Sequence, residues 1–450
     1  MRIPCVRRIQ LRIRGDAERQ RRDGDPLSRL TAVALPGLGL DAHYFDQLAV
    51  GLRSQDIDLL ALDLRDAGSV HDLTSSVIAR IAAEVRGQWI LIGHSMGGKI
   101  ASSVAARTLS GQIGLFGLLG TVLLAPSPPT PEPMDEDRRD TMLDWAADGS
   151  IGSSSAAEFI AQNVAAPLPS ADRQRVLDSV TGCPANAWQQ WLTTGSKEDI
   201  SEQVGTLPLP ALILGGDQDE DLGAGAQPGL HAGTYPRASY VTVPDCGHLI
   251  ALEQPAFLLS RVLDFIRTRV RSAPEVPDQW CALLASERTI PAVRRSLALR
   301  AIPDDPAYAP SVLSPQQLTT LRLLADVVVP QSGPAIDVAA RVDAQLARGE
   351  GDGWRPNGQP ADPQAYQAGL DHLADTQIDR GTVEALIDDA WFEDARVDLV
   401  RQWLGHPASM ARIGYDGFAA GSIATVGRGF HLIGPGERDA WEPSELGTAL

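Results

Sequence analysis

The chain has 450 residues, 44% hydrophobic and 21% charged, with nine tryptophans, which excludes disordered, collagenous and disulfide-scaffold classes. At roughly 100 to 200 residues per domain this length implies two to four domains, each able to bury a core. A net charge of -18 sets most of the molecule against nucleic acid and anionic membrane surfaces, so neither is expected as a partner.

The first 30 residues hold nine arginines against four acids. The Arg7-Arg8 pair is followed by Ile9, Leu11 and Ile13 alternating with Gln10, Arg12 and Arg14, as in an exposed strand, rather than by the apolar run of an export signal. Cys5, Cys183, Cys246 and Cys281 are far apart and form no CxxC pair, so neither a disulfide framework nor a zinc site is expected. Both features fit a cytoplasmic location. The apolar section Ile113 to Ala125 is broken by three glycines and is too short to span a bilayer.

From residue 31 short apolar runs alternate with helical periodicity: Thr31 to Leu35, Leu59 to Leu62, Trp89 to Ile92, Thr121 to Ala125, Ala211 to Leu214 and Tyr240 to Val243. This alternation predicts an α/β domain over 1–270 with a mainly parallel sheet. It is suspended between about 127 and 207, where helical patterns carrying Trp145, Phe159, Trp188 and Trp191 predict an inserted cap. These four aromatics are candidates for an apolar acyl pocket, with packing inside the cap as the competing expectation.

The Pro- and charge-rich segment RSAPEVPDQW opens a predicted linker, 271–310. Beyond it, 311–450 shows apolar residues at helical spacing with Gly and Pro stops and no strand alternation, which predicts a separate all-α domain.

The strongest chemical signal is GHSMGG, Gly93 to Gly98, between the strand WILI and the helical pattern KIASSVAARTL. Strand, tight turn and helix are the context in which a GxSxG serine is presented as a nucleophile, here Ser95. A serine hydroxyl needs a base and a group to orient that base. Asp219 follows the strand ALIL, with Asp217 and Asp221 as rivals, and His248 follows the next strand, giving the order Ser, Asp, His. Backbone N–H groups of Met96 and of Leu38, in the LPGLGL loop, are the expected oxyanion donors. His94 is read as structural and Lys99 as a solvated helix residue.

Two other motifs compete. GLGLDA followed by Asp63 imitates a dinucleotide fingerprint, but it leaves the serine turn and the late Asp and His without a role. Asp217, Asp219 and Asp221 imitate a calcium loop that lacks its glycine and its final glutamate. No metal and no cofactor is expected.

Residues 1–270 resemble the α/β-hydrolase superfamily. GHSMGGKIA, GGDQD and CGH look like the branch of cofactor-free esterases, carbon-carbon bond hydrolases and perhydrolases, with Pro36 departing from the His that this branch often carries there. The resemblance implies a serine hydrolase acting on an ester or related acyl substrate, with C–C cleavage or perhydrolysis as alternatives. LSPQQLTTLRLLADVVVPQSGPAIDVAARVDAQLARGEGDGWRPNG, DPQAYQAGLDHL and HPASMARIGYDGF are similar, in order, to the gluconate 2-dehydrogenase subunit 3 family. That resemblance implies a docking or maturation unit for an FAD-dependent sugar or polyol dehydrogenase, so an accessory-subunit role is the alternative of a different class. A stabilising or self-associating appendage is its plainer counterpart, and Trp354, Trp391, Trp403, Tyr366 and Tyr415 are weighed as partner surface against core.

Overall fold

The computed structural model describes residues 30–351 and 360–418. The alternating segment near Ile9, the dehydrogenase-like Trp354 and the last 32 residues lie outside the described residues.

Six strands form one all-parallel sheet: β1 (Thr31–Leu35), β2 (Asp58–Ala61), β3 (Trp89–His94), β4 (Leu118–Leu124), β5 (Ala211–Gly216) and β6 (Ala238–Val243), in the order β2-β1-β3-β4-β5-β6. They are the six predicted runs, with ends differing by at most three residues. Every residue of β3, β4 and β5 is buried, as apolar strands covered by helices on both faces must be. The chain goes from β1 to one side for β2 and then crosses to the other for β3, so the strand order reverses between β1 and β3. In open parallel sheets that reversal leaves a crevice at the carboxyl ends of the strands. The loop after β1 and the turn after β3 both open into it.

Between β4 and β5 the expected cap is present as helices Glu136–Asp144, Ser153–Asn163, Ser170–Thr181, Ala185–Gln190 and Ser201–Val204. It roofs the crevice.

The stretch 271–310 is not a plain linker. It carries helices Asp278–Ala285 and Pro291–Ala301, whose Trp280, Cys281, Leu284, Leu297 and Ala298 are buried in the same core as the sheet. Pro277 and Pro291 open these helices rather than breaking them, because the first turn has no need of the missing N–H. Arg294 is buried there, its guanidinium donating to the carbonyls of Leu284, Gly111, Ser286 and Thr289.

The helices Pro315–Val328, Val338–Ala347, Asp362–His372 and Ala390–Leu404 pack around a second core that includes Leu321, Leu324, Val342, Leu370 and Phe392. A separate all-α unit thus follows the α/β domain. Buried Asp343 anchors its entry by accepting from Tyr308 Oη and from the amides of Ser311, Val312 and Leu313 at 2.6–3.1 Å. Of the C-terminal aromatics, Tyr366 is buried and donates to Asp398 at 2.8 Å, Trp391 and Trp403 pack against this core, and Tyr415 is exposed. Among the described residues no helix is long and apolar enough to cross a membrane.

Candidate active site

Strand β3 runs directly into helix Met96–Leu109 through one residue, Ser95, held at φ 50°, ψ −119°. A positive φ is costly for a residue with a Cβ, and such strain persists only where the surroundings over-determine it. Here they do. Ser95 N–H donates to Leu124 O at 3.0 Å, and its carbonyl accepts from Gly98 and Ser127 at 2.8 and 3.0 Å. Gly97 must be glycine because a Cβ there would lie 2.2 Å from Leu35 O, so the helix can start this close to β1 only without a side chain.

Ser95, Asp219 and His248 line one cavity of about 470 Å³ between sheet and cap. His248 Nδ1–H donates to Asp219 Oδ2 at 2.7 Å. The Nδ1 proton leaves Nε2 with a lone pair, the tautomer a general base requires. Burial alone would raise the Asp219 pKa, but the His248 imidazole and the hydrogen bonds it receives outweigh burial and hold it below the usual carboxylate range. Its other oxygen accepts from the amides of Asp221 and Leu222 at 3.2 and 3.1 Å. The rivals are committed elsewhere: Asp217 accepts from Cys246 N–H at 3.1 Å, and Asp221 pairs with Arg138 of the cap. Among the described residues no hydrogen bond joins Ser95 Oγ to His248.

Leu38 lines the cavity, and Met96 follows the serine. Among the described residues the N–H groups of both donate to no other protein group. Gly37 to Ala42, the dinucleotide lookalike, is instead a folded turn in which Asp63 accepts from Ala42 N–H at 2.8 Å and Asp41 pairs with Arg65 at 3.1 Å.

The four cap aromatics separate into two pairs. Phe159 and Trp191 face the cavity. Trp188 is fully buried, donates Nε1–H to Met142 O at 2.7 Å and carries Trp145 at 6.3 Å between ring centroids, so this pair is the core of the cap.

Sequence reasoning missed the polar part of the wall: Glu132, Arg138, Gln162 and Asn163. No motif marks them, since they come from cap segments that only tertiary packing brings over Ser95. Glu132 accepts from Ser127 Oγ at 2.7 Å. Lys99, expected in solvent, is fully buried, its ammonium donating to the carbonyls of Thr130 and Glu198. Burial lowers its pKa to about 8, against the opposing pull of Glu132, Glu198 and Asp199. It ties the strap after β4 to the end of the cap.

Residues 32–261 match the model of a family described as alpha/beta hydrolase, just over half of the 450 residues. No curated protein matches the chain. Similar solved structures include an esterase from Exiguobacterium antarcticum, at 16% identity and a TM-score of 0.48 over 54% of this chain and 93% of that one. A bromoperoxidase from Bacillus anthracis is also similar, at 16% identity and a TM-score of 0.48 over 53% of this chain and 92% of that one. An enol-lactonase from Burkholderia xenovorans LB400 is similar at 17% identity and a TM-score of 0.44, over 53% and 92%.

Proposed function

Because the chain belongs to the alpha/beta hydrolase family, we propose that it is a cofactor-independent serine hydrolase acting on an ester or related acyl substrate. The observation that carries the reading is the 2.7 Å bond from His248 Nδ1 to Asp219 in the cavity that Ser95 faces from its strained turn. Ser95 Oγ attacks the acyl carbonyl, His248 Nε2 takes the hydroxyl proton and returns it to the leaving group, and Asp219 holds the imidazole and stabilises its cationic form. The N–H groups of Leu38 and Met96 receive the oxyanion. Water, activated by the same imidazole, then releases the acyl enzyme. The Ser95–His248 contact closes when substrate fills the cavity, as catalytic hydrogen bonds commonly do.

Phe159 and Trp191 suit an apolar acyl chain, and the polar wall suits an acyl or leaving group with hydrogen-bonding atoms. A C–C bond hydrolase or perhydrolase would use the same acyl chemistry with a different nucleophile or leaving group. For the C-terminal helices the packing of Ala408, Met410 and Ala411 against the core of the α/β domain favours a stabilising appendage over a dehydrogenase accessory unit.

The test is hydrolysis of a chain-length series of 4-nitrophenyl esters by wild type, Ser95→Ala, His248→Ala and Asp219→Asn. Asp219→Asn is expected to lower kcat by roughly 10³- to 10⁴-fold, because the amide favours the wrong imidazole tautomer. Asp217→Asn, which keeps a carbonyl for Cys246 N–H, is expected to stay near wild type. Unchanged turnover in Ser95→Ala and His248→Ala would reject the mechanism.

A further inference from the structure

The loop carrying His248 is gripped by a carboxylate that the proposed reaction does not use. Glu253 Oε1 accepts from the amides of Gly247 and Leu249 at 3.1 and 3.0 Å, the two peptide neighbours of the histidine. Its Oε2 accepts from Gly247 N–H at 3.1 Å and from Ala165 N–H at 2.7 Å. Ala165 lies two residues beyond the cap helix Ser153–Asn163. One half-buried carboxylate therefore joins the catalytic loop to the cap through charge-assisted bonds to three amides, of which Leu249 N–H is shared with Asn163 O.

Other contacts run between the same segments. His248 N–H donates to Asn163 O at 2.9 Å, and Gly247 sits so tightly that a Cβ would lie 2.9 Å from Ala165 N and Asn163 O. On the opposite side His94 Nε2–H donates to His248 O at 3.0 Å. The His248 peptide is thus fixed to the cap by its N–H and to the nucleophile strand by its C=O. The cap helix that holds it also supplies Phe159, Gln162 and Asn163 to the cavity wall, so whatever fills the cavity presses on the element that sets the base.

Building on the serine-hydrolase reading, we propose that Glu253 is a positioning residue that locks the His248 loop to the cap, so that the base is aligned with Ser95 only when the cap is seated over the cavity. Misplacement of a catalytic group by about 1 Å costs on the order of 10²-fold, so this coupling makes cap closure a condition of turnover rather than of binding alone.

The test uses full-length Glu253→Ala, Glu253→Gln and Ala165→Pro. The readouts are kcat and KM on 4-nitrophenyl butyrate, the pH profile of kcat/KM, the rate of Ser95 labelling by a fluorophosphonate, and folding by circular dichroism. Wild type against Ser95→Ala in the same assays tests the hydrolase reading by itself. If that pair fails to differ, the reading falls; if it differs, the remaining variants bear on Glu253 alone. Glu253→Ala is expected to lose about 10²-fold in kcat with a much smaller change in KM. The rate of Ser95 labelling should fall in the same proportion, since labelling needs the same aligned base. Glu253→Gln keeps one carbonyl oxygen for Gly247 and Leu249 but turns an amide donor toward Ala165 or its neighbours, so it should lose less kcat than alanine. Ala165→Pro deletes only the cap donor, after a residue already extended at φ −125°, ψ 143°, and should resemble the glutamine variant. Since it leaves the carboxylate in place, it also decides the matter if Glu253→Ala does not fold. Folded variants whose kcat, labelling rate and pH profile all stay within about twofold of wild type would overturn the proposal. A wild-type Ala165→Pro beside an impaired Glu253→Ala would overturn the coupling to the cap.

Discussion

His94, the residue immediately before Ser95, donates Nε2–H to the main-chain carbonyl of His248 at 3.0 Å. The two imidazoles lie 4.9 Å apart between centroids and both border the cavity, but His94 is fully buried whereas His248 is half-buried. Burial first, and the neighbouring His248 ring second, push the His94 pKa well below its usual value, which keeps it a neutral donor. His94→Phe preserves an aromatic ring but removes the donor. At about 1 kcal/mol for a neutral hydrogen bond, kcat/KM on a short ester is expected to fall roughly fivefold. Steady-state kinetics beside a urea unfolding curve separates this from a general loss of stability, and an unaltered kcat/KM would rule out the positioning role of His94.

The backbone strain at Ser95 gives a prediction in which stability and activity part company. At φ 50°, ψ −119° a glycine relaxes what a serine must endure. Ser95→Gly is expected to gain about 1 kcal/mol in urea unfolding while losing ester turnover. A less stable Ser95→Gly would show that the turn is not strained.

The division of the cap aromatics is open to a paired comparison. Trp191 faces the cavity, so Trp191→Ala is expected to shift the preferred 4-nitrophenyl ester toward longer acyl chains. Trp188 is fully buried with its Nε1–H satisfied, so Trp188→Ala is expected to cost about 3 to 5 kcal/mol of stability. An altered chain-length optimum in a folded Trp188→Ala protein, with none in Trp191→Ala, would reverse the assignment.

Stability should depend on pH at both ends of the range. Burial lowers the pKa of His231 to about 4 and that of His406 to about 3, and holds His94 well below its usual value. Unfolded imidazoles titrate near about 6.5, so below that pH the unfolded chain binds protons that the folded chain refuses. Stability from these groups is therefore full above about pH 6.5 and is lost as pH falls toward the folded values, with about three protons taken up on unfolding near pH 5. At the other end the signs oppose. Burial lowers Lys99 to about 8, so the unfolded chain binds one extra proton above that pH. Burial also raises the thiols of Cys183, Cys246 and Cys281, so the folded chain keeps protons that the unfolded chain loses above about pH 8.5, and stability falls there. Urea midpoints measured from pH 4 to 10 check both, and Lys99→Met should steepen the alkaline fall while leaving the acid limb unchanged.

Much of the first domain was legible in the chain because buried parallel strands are continuous apolar runs and the turn that presents a serine demands small residues at fixed offsets, as in Gly93 to Gly98. The chain order of Ser95, Asp219 and His248 was equally open to reading. The segment after residue 270 was less so: its prolines and charges look like a linker, while Trp280, Cys281 and Leu284 bury against the sheet. Local composition reports turn-forming tendency, and it does not report what a helix will find to pack against.

What the sequence by itself determined is therefore what local chemistry dictates: strands, the serine turn, the cap as an interruption, and a helical second domain. The pairing of His248 with Asp219 rather than Asp217 or Asp221, the burial of Lys99, the division of four tryptophan and phenylalanine side chains between pocket and core, and the grip of Glu253 on Gly247, Leu249 and Ala165 were decided by tertiary structure. Most depend on groups dozens of residues apart, such as Asp219 and His248 or Ala165 and Glu253, meeting within about 3 Å, and such contacts follow from where the chain folds back, which no single segment encodes.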